Sequence, residues 1–326
     1  QDRVALVVYA GSSGLVLDST PGNQKEKIDQ AIDNLRAGGS TNGASGIQLA
    51  YQIATKNFIK GGVNRVILAT DGDFNVGVSS EGDLVRLVTE KAKTGVMLTT
   101  LGFGDNNNKD TVMQQISDKG NGNYYYIDSL REARKVLVKQ AGGTLNTIAK
   151  DVKIQVEFNP RYVSSYRLIG YEKRILAKQD FNDDTKDAGE IGEGHTVTAL
   201  YEIVPASAEE KSTVDELRYQ KQEKPQGLPN NELANVKLRF KKPEGKEASE
   251  LLSFPVKDEN KPFSSASTDL KFASAVAGFG MILRDSPHKG TMSINQVQEI
   301  ASKNTKSDEY RVEFVELVKK ARSLHK

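Results

Sequence analysis

The chain has 326 residues, enough for two domains or for one large domain with an appendage. Its 37% hydrophobic and 27% charged residues suit a folded protein with a well-charged surface. The 45 Lys+Arg against 43 Asp+Glu leave a formal charge of +2, too little to argue for nucleic acid as a partner. There is no cysteine, which excludes disulfides, thiolate metal sites and cysteine nucleophiles, and no apolar run approaches the roughly 20 residues of a membrane span.

The first part alternates strand-like and helix-like segments. Val4 to Tyr9 reads VALVVY, a continuous apolar run predicting a strand buried on both faces. Gly11-Ser12-Ser13-Gly14 is turn material, and Leu15 to Leu17 resumes as a short hairpin partner. Ile28, Ala31, Ile32 and Leu35 recur at helical spacing. A glycine-rich loop, Gly38 to Gly43, then leads into a helix carrying Ile47, Ala50, Tyr51 and Ala54. Arg65 to Thr70 (RVILAT) predicts a second buried strand that stops at the polar turn Asp71-Gly72-Asp73. A helix through Leu84 to Ala92, a strand from Met97 to Phe103 and a short helix through Val112 and Ile116 follow. A strand at Tyr124 to Ile127 and a helix through Leu130 to Ala141 close the set. Such repetition implies a mainly parallel, doubly wound sheet with helices on both faces. Functional loops in such sheets lie beyond the carboxyl ends of the strands, where Asp71 and the loop after Gly102 fall.

From about Lys150 the pattern changes. Val152 to Phe158 alternates strictly, predicting a strand with one wet face. Further strands are expected at Ser165 to Tyr171, His195 to Val204, Asn235 to Phe240 and Leu251 to Val256, separated by long polar connections including Asp180 to Gly194 and Pro205 to Asn231. This reads as a β-sandwich. Lys257 to Pro262 is a linker candidate, and the end is helical, through Leu270 to Gly280, Ile294 to Ile300 and Phe314 to Ala321.

Few residues offer chemistry. His195, His288 and His325 are scattered, without partners at ligand spacing, and read as packing or surface residues. The strings Gly38-Gly39-Ser40-Thr41-Asn42 and Ala69-Thr70-Asp71-Gly72-Asp73 place a hydroxyl and carboxylates at loop tips. Such hard oxygen donors suit magnesium, calcium or manganese. Either string alone also fits an ordinary turn. Asp180, Asn182 and Asp184 fit the first positions of a calcium loop, but Thr185 stands where that loop needs glycine and Ile191 where it needs glutamate. A solvated loop is therefore expected. The run Tyr124 to Tyr126 needs only a strand to explain it.

In their order and setting, GGSTN between two helices and TDGDFN after a buried strand make residues 1–145 resemble the von Willebrand factor type A domain. DFNDDTKDAGEIGEGHTVTALYEIVP from Asp180 and DLKFASAVAGFGMILR from Asp269 resemble the carboxy-terminal region of a bacterial YfbK-like family of envelope-associated type A proteins. The resemblance implies a metal-ion-dependent adhesion site with Thr41 as a ligand and Asp71 as a carboxylate reaching the ion through water. Ser40 and Asp73 are neighbours without an assigned role. The family's Asp-x-Ser-x-Ser string, on the central first strand, has no counterpart, and Gln1 to Val4 resembles the start of the second strand. The expectation is a type A domain over residues 1–148 lacking its first strand and helix, a β-sandwich over 149–262, and a helical segment over 263–326 packed on the preceding domains. The central strand is expected upstream or from another chain. A closed type A sheet built from these residues alone would refute this.

What the resemblance implies for function is a non-enzymatic, divalent-cation-dependent protein-binding module of the bacterial cell envelope, periplasmic or surface-exposed. Magnesium, or calcium or manganese, would be completed by an acidic residue of a protein partner, and would be loosely held by the incomplete cage. Nucleic acid is not expected as a partner, and membrane association would come only through an upstream segment. One alternative is a structural envelope protein with a vestigial site. The other is a metal-dependent hydrolase using Asp71 and Asp73, for which no nucleophile or general base is evident.

Overall fold

A computed structural model describes residues 2–9, 14–36, 38, 43–71, 81–104, 110–171, 175–186, 188–207, 231–243 and 248–324. The chain groups into two compact units, one of residues 1–155, 176–196 and 237–252, the other of 156–175, 197–236 and 253–326.

In the first unit, β1 (Arg3–Val8) and β2 (Gly14–Pro21) form an antiparallel pair, followed by helices α1 (Lys25–Asp33) and α2 (Gly43–Lys56). Next come β3 (Arg65–Thr70), α3 (Glu81–Ala92), β4 (Met97–Phe103), α4 (Asp110–Lys119) and β5 (Tyr124–Ile127), with the three strands parallel in the order β3-β4-β5. The apolar runs of β3, β4 and β5 end where the sequence reading placed them. Alternate residues of these strands serve opposite faces. Val66, Leu68, Leu98 and Tyr124 pack with Ile47 and Tyr51 of α2, Leu84 and Val88 of α3, and Met113 and Ile116 of α4. Leu101, Phe103, Tyr125 and Ile127 pack on the other face with Ala133 and Val136. This is the doubly wound, Rossmann-like α/β fold, with its main core beneath α2.

The final helix is not continuous. It runs as α5 (Leu130–Arg134), a π-helical turn (Lys135–Lys139) and α6 (Ala141–Leu145). Helix α1 forms where expected but contributes nothing to a core, because Ile32 and Leu35 are exposed. The two-sided burial expected of VALVVY and RVILAT does not occur either. Among the described residues β1 is hydrogen-bonded to β2 alone and β3 to β4 alone, so each is an edge, with Ala5, Ile67 and Ala69 exposed. The described residues form two separate sheets here, not one closed type A sheet.

Beyond α6 lies a four-stranded sheet of order β11-β10-β6-β8, made of β6 (Thr147–Phe158), β8 (Gly189–Gly192), β10 (Glu232–Lys241) and β11 (Glu250–Lys257). A two-stranded sheet pairs β7 (Val163–Ile169) with β9 (Leu200–Pro205), and Arg167 lies opposite Glu202, with which it forms an ion pair. At the end of β6, Phe158 meets the rings of Tyr166 at 4.5 Å and Tyr201 at 5.4 Å. The alternation along β6 misleads at one position. Lys153, on the expected wet face, is buried, and Ile154 is 45% exposed.

The end of the chain is the helical set α7 (Thr268–Leu283), α8 (Ile294–Ser302) and α9 (Glu309–Leu324). Ala275, Phe279, Val297, Ala301, Val315 and Val318 form its core, with Phe314 edge-on to Phe272 and Phe279. Helix α8 opens with a reciprocal cap. Ser293 accepts from the Gln296 amide and the Gln296 side chain accepts from the Ser293 amide. Ser293→Ala is therefore expected to cost about 1 kcal/mol of stability in denaturant titration. No helix among the described residues is long and apolar enough to cross a membrane.

Candidate functional site

The parallel strands bring two polar ends together. Asp71 follows β3 directly and is exposed at the strand's carboxyl end. Gly104 follows β4, and a Cβ placed on it would come 3.9 Å from that of Asp71. Gly104 has φ +90°, a conformation that favours glycine, and its carbonyl accepts a 2.8 Å hydrogen bond from the Tyr126 hydroxyl. The carboxylate thus stands at the rim of the sheet, in the position where doubly wound folds place their sites. Thr41, Ser40 and Asp73 lie outside the described residues.

Tyr9, which the sequence reading took only as the last residue of a buried strand, ties this rim together. Its hydroxyl donates to the Ala69 carbonyl at 2.6 Å and meets the side chain of Thr70, a residue only 5% exposed. Burial raises the Tyr9 phenol pKa; the Thr70 hydrogen bond opposes that rise and the Asp71 charge adds to it. The tyrosine also packs against the first turn of α2, where a Cβ on Gly46 would fall 2.4 Å from Tyr9 Cβ. The helix that follows the Thr41 segment in sequence and the strand that precedes Asp71 are therefore joined through one side chain. The TDGD string pointed to Asp71. Nothing local pointed to Tyr9, whose partner Ala69 is 60 positions away.

Other candidates fare differently. No group of three or more His, Cys, Asp or Glu side chains is placed to hold a metal among the described residues. His195 and His288 are exposed, as read, and His325 lies outside the described residues. The acidic segment is not the solvated loop expected. Phe181 is 4% exposed, and Asp183 and Asp184 are engaged by Thr185 and Ser249.

Two family models cover the chain. Residues 1–139 match the von Willebrand factor type A domain, and residues 143–324 match the family described as "Uncharacterized protein YfbK, C-terminal". The chain belongs to the YfbK family. "Uncharacterized protein YfbK" of Escherichia coli (strain K12) is 45% identical over 324 residues, covering 98% of this chain and 55% of that protein. The chain thus spans about half the length of the curated relative it matches. Among solved structures, a von Willebrand factor type A protein from Catenulispora acidiphila is similar over 94% of this chain and 71% of its own, at 13% identity and TM-score 0.44. BatB from Bacteroides thetaiotaomicron is similar over 43% of this chain and 78% of its own, at 20% identity and TM-score 0.35. Membership of the YfbK family places a type A domain, typically a non-enzymatic interaction module, ahead of a family-specific carboxy-terminal region.

Proposed function

We propose that residues 1–139 form a protein-binding module that takes an acidic side chain of a partner protein through a divalent cation, with Asp71 and Thr41 among the protein's ligands. The observation that supports this most is the exposed Asp71 carboxylate at the carboxyl end of β3, beside Gly104. A carboxylate is a hard oxygen donor, and its exposure leaves room for waters, which magnesium retains readily. Asp71 fits such a site as one ligand; the ion would supply positive charge for the partner's carboxylate, and the chain's part is to hold oxygens at a fixed rim. An envelope location follows from the resemblance to envelope-associated type A proteins and is part of the same proposal.

The test is a cation titration of the full-length protein. A ligand that binds only the native state stabilises it by about 2.7 kcal/mol at a hundredfold excess over its Kd. Magnesium or manganese is expected to raise the thermal midpoint, and a chelator to reverse both that rise and partner binding. A midpoint and a binding curve indifferent to chelator would remove the metal and leave the structural reading.

A further inference from the structure

We propose that residues 178–186 form a strap latched to the sheet by two of the chain's own ammonium groups, Lys153 and Lys241, so that the acidic segment is a cage for an internal cation and not a seat for a metal.

The latch centres on Lys153. It lies in the middle of β6 and is 2% exposed. A buried ammonium is costly unless oxygens meet its three hydrogens. The strap supplies two such oxygens from its backbone. Lys178–Asn182 is a short 3₁₀ turn, and the last carbonyls of a helical turn lack partners within it. Lys153 Nζ donates to the Asp180 carbonyl at 3.2 Å and to the Asp183 carbonyl at 2.5 Å. A lysine at the carboxyl end of a helical turn also meets the negative end of its dipoles. The ammonium takes the place among main-chain oxygens that a cation would need.

The carboxylates are spent elsewhere. Asp183 Oδ1 accepts from the Thr185 amide at 2.9 Å and its hydroxyl at 2.6 Å, closing the turn. Asp184 accepts from the Ser249 hydroxyl at 2.5 Å and the Ser249 amide at 3.1 Å. Lys241 Nζ, on β10, bonds the Asp184 carbonyl at 2.8 Å and Asp151 Oδ2 at 2.7 Å. Arg239, also on β10, reaches Asn182 Oδ1 at 3.1 Å and stands over the Phe181 ring at 5.6 Å. The strap thus grips β6 through Lys153, β10 through Arg239 and Lys241, and the approach to β11 through Ser249. This also accounts for the reversed burial of Lys153 and Ile154.

The deciding experiment is hydrogen exchange on the full-length protein carrying Lys153→Met, which keeps the side chain's length and removes its charge and donors. Amides of 180–186 are expected to exchange at least about tenfold faster than in the wild type, with a lower thermal midpoint. Calcium is expected to leave the wild-type strap protection unchanged. Should Lys153→Met fail to fold, Lys241→Met, at a more open position, is read by the exchange of 184–186. Unaltered strap exchange in the variants that fold would overturn the latch. So would calcium raising strap protection in the wild type.

Discussion

Asp71→Ala is expected to abolish cation-dependent partner binding in the full-length protein while leaving its melting without cation unchanged. The two halves have separate causes. Asp71 is exposed beyond the end of β3 and belongs to neither hydrophobic cluster of the α/β fold, so truncation opens no cavity and shifts stability by no more than about 0.5 kcal/mol. Its carboxylate is the donor on which the proposed site depends. Losing a charged ligand is expected to weaken the ion by at least about a hundredfold, ~2.7 kcal/mol. Asp71→Asn, which keeps one ligating oxygen and drops the charge, should fall between the two. A cation-dependent wild type whose binding survives Asp71→Ala would move the ion to other residues. A variant that also melts early would show that the aspartate holds the rim of the sheet together.

How much of this was legible depends on how far each residue's partner lies along the chain. The runs RVILAT, MLTTLGF and YYYI are bounded by polar turns, and their limits can be read directly because core strands are defined by local composition. Asp71 was legible for the same reason, being the polar residue at which an apolar strand stops. Lys153 was misread because the carbonyls that bury it come from Asp180 and Asp183, 27 and 30 positions on. Strand β8 was missed altogether. Its four residues, GEIG, have no periodicity to detect, and they become a strand only by pairing with Thr147, Ala149 and Val152 of β6. The π-helical turn at Lys135–Lys139 was also invisible, since its apolar residues keep a helical spacing through the irregularity.

The same short strand carries the largest expected effect on folding. Gly192, its last residue, is buried, and a Cβ there would stand 1.8 Å from the carbonyl oxygen of Gly143 and 2.5 Å from its carbonyl carbon. No rotamer change relieves that overlap, because the obstacle is the backbone of α6. That backbone is itself held: Glu193 N–H donates to the Asn146 carbonyl at 2.9 Å, and the Asn146 side chain donates to Glu193 at 3.0 Å. Gly192→Ala must push β8 away from α6 or break its pairing with Thr147, where β6 begins. The expected loss is about 3 kcal/mol or more, at the upper end for overpacking. Gly189, the first residue of the same strand, is the control. It has nothing within 4 Å of an added Cβ, so Gly189→Ala should stay within about 0.5 kcal/mol of the parent. Denaturant titrations of the two variants separate a steric demand at one position from a general preference for glycine in GEIGEG. Equal midpoints for the pair would mean that β8 and α6 do not approach this closely.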